Sequence, residues 1–300
     1  MNIVQTHVHL GAHATSEDAA APGGAAAPPP SGASQVATIA NHTLRERWRS
    51  LLVWSLGLVG ISAIELAVYP SIQATGEGWQ AMLEQWPDAL KEAFRLDAYT
   101  SGAGFLNTEL FSMMFPIMLI AVALGAAAAA TAGEEERGTA DLLLALPVLR
   151  GHVLTGKTIA MALGVVVVMA AGAVTIVVGA PLVDLDVGTL EVVAASVMTA
   201  LLGLLFGCVG LLLGAVTGKR AAALGGGIGL AIAAFLLQVL APMADWLEPW
   251  QKVSPFDWAL GSDPLLHGVA WGDVGLLVGV CVLLLGAAGL VYHRRDIAGR

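Results

Sequence analysis

Charge is what this chain has least of. Only 12% of its 300 residues are Asp, Glu, Lys or Arg, against about a quarter in soluble domains. Cysteine is almost missing too. Cys208 and Cys281 are the only two, without CxxC spacing, so a disulfide scaffold is excluded. Both fall inside long apolar runs and read as small buried hydrophobes. No hydrolytic triad and no His-Glu metal spacing is present, so neither catalytic residues nor a metal site is expected. His7, His9 and His13 lack any further ligand and read as a chance cluster.

What is present is apolar length. Hydrophobic residues make up 57% of the chain and mean hydropathy is +0.76. A helix needs about 20 apolar residues to cross the hydrocarbon core. Six runs qualify: 51–69, 110–132, 158–180, 191–216, 221–243 and 273–292. Runs this long suit helices and not strands. The expected fold class is an all-α integral membrane protein with six transmembrane helices.

Orientation follows from the cations. With both ends on one side, that side holds Arg45, Arg47, Arg49, Arg137, Arg150, Lys157, Lys219, Arg220, Arg294, Arg295 and Arg300, eleven of the 14 Lys plus Arg. Only Lys91, Arg95 and Lys252 fall opposite. Cations favour the cytoplasmic side, so both termini are expected in the cytoplasm of a multi-pass plasma-membrane protein. The net charge of −9 comes largely from acidic outer loops. No broad basic surface remains, and no nucleic-acid partner is expected.

Residues 1–33, rich in Ala, Pro and Gly, read as a disordered cytoplasmic tail and not as a signal peptide. Residues 34–50 place Val36, Ile39, Ala40, Leu44, Trp48 and Leu51 at helical spacing. They predict an amphipathic helix lying in the inner interface and turning sharply into the first span. Residues 51–300 hold the six spans. Outer segments 70–105 and 244–271 carry Trp79, Trp86, Trp246, Trp250, Trp258 and Trp271 and predict short interfacial helices. Small residues recur at close-packing spacing: Gly203, Gly207, Gly210 and Gly214, then Gly225, Gly226, Gly227 and Gly229, then Gly275 and Gly279. Packing within one bundle is the plainer reading of each stripe; a subunit interface or sliding surface is the sharper one.

Gly151-His152-Val153-Leu154-Thr155-Gly156-Lys157-Thr158 satisfies the nucleotide-loop pattern GxxxxGK[ST]. A true site follows a strand and needs a soluble domain around it. Here Ile159 to Ala180 is a membrane span, so the match reads as coincidence. Lys157 is expected to snorkel to the headgroups. Glu65, four residues from the outer end of the first span, and Gln238 in the fifth are the polar side chains in spans that could line a pathway.

The most informative stretch is Gly133-Glu134-Glu135-Glu136-Arg137-Gly138-Thr139, followed by Asp141, Leu142, Leu143, Leu144, Leu146, Pro147 and Arg150. Thr139 caps a short helix and Asp141 in its first turn favours the dipole. That helix reads equally as packed on the chain's own spans or as docked on a partner. From about residue 40 to its end the chain resembles ABC-2 type permeases, the six-span subunits of ATP-binding-cassette exporters. The likeness rests on this stretch and Lys157, with Tyr69-Pro70-Ser71, Leu106-Asn107-Thr108-Glu109 and Arg294-Arg295-Asp296-Ile297 in the same order. Leu149-Arg150-Gly151-His152 departs from it, since relatives often carry Ser and several arginines there. The resemblance implies that residues 133–157 couple to a separate ABC ATPase subunit holding ATP and Mg, that this chain binds no cofactor and hydrolyses nothing, and that a second permease copy or homologue completes the pathway. A proton-coupled secondary transporter using Glu65 is the rival reading.

Overall fold

The computed structural model describes residues 31–94, 96, 99, 101–131 and 150–294. Among these there is no strand, and six helices are long and apolar enough to cross a membrane. The first is α1 (Gly32–Ala74). Two short helices follow, α2 (Gly76–Leu83) and α3 (Asp88–Phe94). The second span begins as α4 (Gly102–Leu106), passes through a π-helical stretch at Asn107–Met114 and continues as α5 (Phe115–Thr131). Then come α6 (Arg150–Gly179), α7 (Thr189–Thr217) and α8 (Arg220–Leu240). Three short helices, α9 (Glu248–Gln251), α10 (Pro255–Leu260) and α11 (Pro264–His267), lead to α12 (Trp271–Arg294).

The sharp turn expected before the first span does not occur. α1 runs unbroken for 43 residues, about 65 Å at 1.5 Å per residue, twice the hydrocarbon thickness. The reason lies in α6, which runs parallel to α1 over its whole length. Ile39 meets Gly156, Leu51 meets Gly164, Leu58 meets Gly172 and Leu66 meets Gly179. The apolar stripe of residues 34–50 therefore continues onto a second helix, and Ala40 is buried there. Trp48 stays exposed.

A second parallel pair forms the core. On α7, Gly203, Gly207, Gly210 and Gly214 receive Leu119, Ala123, Ala127 and Thr131 of α5 in turn. Missing side chains let the two backbones approach, which supplies van der Waals contact where lipid removes most of the hydrophobic driving force. α7 also packs on α6, α8 and α12. It is the most enclosed span, whereas α1, α8 and α12 are peripheral. Several hydroxyls within spans are satisfied locally: Ser62 donates to Leu58 O at 2.7 Å and Thr199 to Ala195 O at 2.7 Å, which removes the cost of an unpaired donor in hydrocarbon; Ser112 Oγ, by contrast, is buried with no hydrogen-bond partner among the described residues.

The second outer segment is more than interfacial. Phe256, Leu260 and Leu265 are buried in the bundle core. Ser254 fixes this segment, capping α10 through Phe256 N–H and donating to Ala234 O of α8 at 3.0 Å. Trp246, Trp250 and Trp271 remain exposed, as residues of an aromatic belt do.

Candidate functional site

Glu134, Glu135, Glu136, Gly138, Thr139, Asp141, Leu142, Leu143 and Pro147 lie outside the described residues, and Arg150 is the first residue of α6. The structure shows how both ends of that stretch are held. Lys157 is 7% exposed and turned inward. Its Nζ donates to Ala130 O at 3.0 Å, so the expected snorkelling does not occur. An ammonium there hydrogen-bonds a carbonyl in the last described turn of α5, where a positive charge complements the helix dipole. Thr131 donates to Ala127 O and packs on Gly214, seating the same turn on α7. On the other flank, His152 Nδ1 and Gln35 Oε1 are 3.0 Å apart, and Gly32 lies against the His152 ring. The stretch therefore joins two helix ends already fastened to α1, α7 and each other. A force applied to it reaches several spans at once.

The nucleotide-loop match is resolved by local structure. Gly151 to Thr158 is continuous helix within α6, so it does not form the loop whose successive amides wrap a phosphate. The spacing of Gly156, Gly164, Gly172 and Gly179 explains part of that match: Gly156 is there to receive Ile39. An interval of seven or eight residues is two helical turns, a signal that a search for GxxxG overlooks.

At the opposite end the sequence reading found half of a site. Glu65 of α1 lies within electrostatic reach of Glu109 and Tyr99. Tyr99 donates from its hydroxyl to Glu109 Oε1 at 2.9 Å. Burial first, and then the Glu109 hydrogen bond and the nearby carboxylates, push the Tyr99 phenol above its usual range. Glu109 sits in the π-helical stretch, where Phe115 N–H reaches back to Leu110 O; such stretches often mark functional positions. Asn107, in the same stretch, donates to Asp263 Oδ1 at 3.0 Å. Asp263 is left-handed at φ 46, a strained conformation for a residue with a side chain. The signal for Glu109 and Asn107 was the Leu106–Glu109 motif itself. Gln238 is not part of this group. It lies on α8, which packs on α5 and α7, and its buried Oε1 has no hydrogen-bond partner among the described residues. No group of three or more metal-ligating side chains occurs among the described residues.

The sequence pattern of the ABC-2 family transporter proteins matches residues 37–297 of this chain. No curated protein matches it.

Proposed function

The chain belongs to the ABC-2 transporter family, and on that premise we propose that it is the permease of an exporter driven by a separate ATPase. ATP and Mg reside on that subunit, which grips residues 133–157 from the cytoplasm. Closure of the ATPase dimer on ATP draws the gripped segments together and tilts the bundle. It does so only to the extent that the closed dimer prefers one permease state. A second permease, a further copy or a homologue, completes the pathway, and both termini lie in the cytoplasm of a plasma-membrane protein.

The observation that carries this reading is the anchoring of the segment's two flanks. Ala130 is joined to Lys157, and His152 to Gln35. A loop that merely reverses the chain needs no such fastening. The proximity of Glu65 to Tyr99 and Glu109 favours a second reading, in which this outer end carries protons.

The test is affinity purification of the full chain in mild detergent, followed by reconstitution in vesicles. Co-purification of an ABC ATPase, and transport that needs ATP and survives collapse of the proton gradient, are expected. Transport that persists without nucleotide and follows the proton gradient would replace this reading with the second one.

A further inference from the structure

The two cysteines of the chain meet inside the bundle. Cys208 is buried on α7, and Cys281 is partly exposed on α12. These two spans pack on each other, and each cysteine lies well inside its helix. Neither is in a disulfide. The two thiols are hydrogen-bonded to one another. They belong to one apolar cluster with Leu204, Leu211, Leu284 and Leu285. The sequence analysis treats each as a separate small hydrophobe; the fold makes them a dithiol.

The apolar surroundings decide what chemistry such a pair performs. A thiolate is the usual nucleophile and metal ligand, but an uncompensated charge is costly to bury. Reagents that leave a charge behind are therefore disfavoured here. A neutral reagent that removes both thiol protons and leaves a neutral product is not. A trivalent organoarsenical of the form R–As=O meets this requirement. Two arsenic–sulfur bonds form and the arsenic–oxygen bond breaks. The two thiol protons leave with that oxygen as water. Arsenic stays trivalent, so neither an oxidant nor a reductant is consumed. The second arsenic–sulfur bond closes within one molecule, and two linked attachments hold about 10²–10⁴ times more tightly than one. Such compounds dissolve in lipid. Cys281 stands on a peripheral span and offers the approach from that side, with Cys208 behind it.

We propose that Cys208 and Cys281 form a dithiol site within the membrane that captures trivalent organoarsenicals from the lipid phase and thereby bridges α7 to α12. The site requires only that these two spans meet. It needs neither the ATPase nor a particular sidedness, so it stands or falls separately from the exporter reading.

The experiment uses the full chain, reduced and reconstituted in vesicles, with phenylarsine oxide as the probe. After exposure and dilution the protein is unfolded and its remaining thiols are counted with N-ethylmaleimide. In the wild type both thiols are protected, and 2,3-dimercaptopropanol restores both. Cys208→Ser and Cys281→Ser each leave a single thiol, and protecting it takes roughly a hundredfold more phenylarsine oxide. Thermal melts establish that these variants are folded. Wild type unfolded in dodecyl sulfate before exposure supplies the same comparison without a substitution, and also needs roughly a hundredfold more. Equal concentrations for folded wild type, unfolded wild type and single-thiol variants would overturn the proposal, because the two thiols would then act separately. The route is read from a phenylarsine oxide carrying a sulfonate, which stays in water. It protects the wild type at least tenfold more slowly than the neutral compound. Equal rates would overturn capture from the lipid phase and open the site to water.

Discussion

Lys157 Nζ lies 3.0 Å from Ala130 O, joining the first turns of α6 to the last turn of α5 across residues 132–149. The contact makes those helix ends one unit, and it gives Lys157 a structural task unrelated to nucleotide.

Lys157→Met should therefore lower the thermal stability of the purified chain. A hydrogen bond from a charged donor contributes about 1.5–3 kcal/mol. Nucleotide binding by the assembled transporter should be unchanged. Isothermal titration with ATP on the isolated chain should give no binding for wild type or variant; ATP binding that disappears with this substitution would restore the phosphate-loop reading.

Glycines of identical spacing should differ sharply in tolerance. A side chain at Gly203 meets Leu119 Cβ at 3.0 Å and its backbone carbon at 3.3 Å, whereas Gly275 has nothing within 4 Å. Gly203→Leu should cost about 1–3 kcal/mol or more through overpacking. Gly275→Leu should stay within about 0.5 kcal/mol in the isolated chain. Melting curves followed by size-exclusion chromatography compare them directly, and equal losses would contradict the pairing of α5 with α7.

The acidic run should act as the polar rim of the ATPase contact. Exposed charge pairs contribute little singly, so Glu135→Ala should be mild. Reversing Glu134, Glu135 and Glu136 together to Lys should weaken ATPase co-purification, most at low salt, where screening is weakest. Leu143→Asp should uncouple ATP hydrolysis from transport even where the complex survives, because buried anchors dominate interfaces. Wild-type assembly and coupling in both variants would leave this stretch as a turn between spans.

Tyr99 should titrate late. Its phenol is raised above 10.0 by burial and by its bond to Glu109, so the neutral form is the one the fold favours. Its contribution to stability is full below pH 10 and is lost as pH rises through the higher folded value. Phenolate absorbance of wild type minus Tyr99→Phe should thus appear only above the usual tyrosine range. A difference spectrum that titrates at 10.0 would mean that the bond to Glu109 is not made in solution.

Much of the architecture was legible because hydropathy is local. Six runs of about 20 apolar residues specify spans whatever their neighbours are. All six became helices at those places, the second extended by the π-helical stretch that begins at Asn107. The sequence could also point to the Glu134–Arg150 stretch, because carboxylates beside a leucine-rich run between two spans stand out without any knowledge of packing.

What the sequence could not decide were properties shared between helices. Residues 34–50 have the amphipathic pattern of a surface helix, yet their apolar side faces α6, because Gly156 and Gly164 open a groove that no periodicity in α1 reveals. Lys157 has the position of a snorkelling residue and turns inward because the carbonyl end of α5 lies beside it. Glu65 was visible alone; its proximity to the Tyr99–Glu109 hydrogen bond needed α1, the outer turn and the π-helical stretch to converge. By itself the sequence determined that this chain crosses a membrane six times, since burial in lipid is a property of each segment. Which glycines meet a neighbour, which cations turn inward and which carboxylates meet were decided by tertiary structure, because each depends on a surface supplied by another part of the chain.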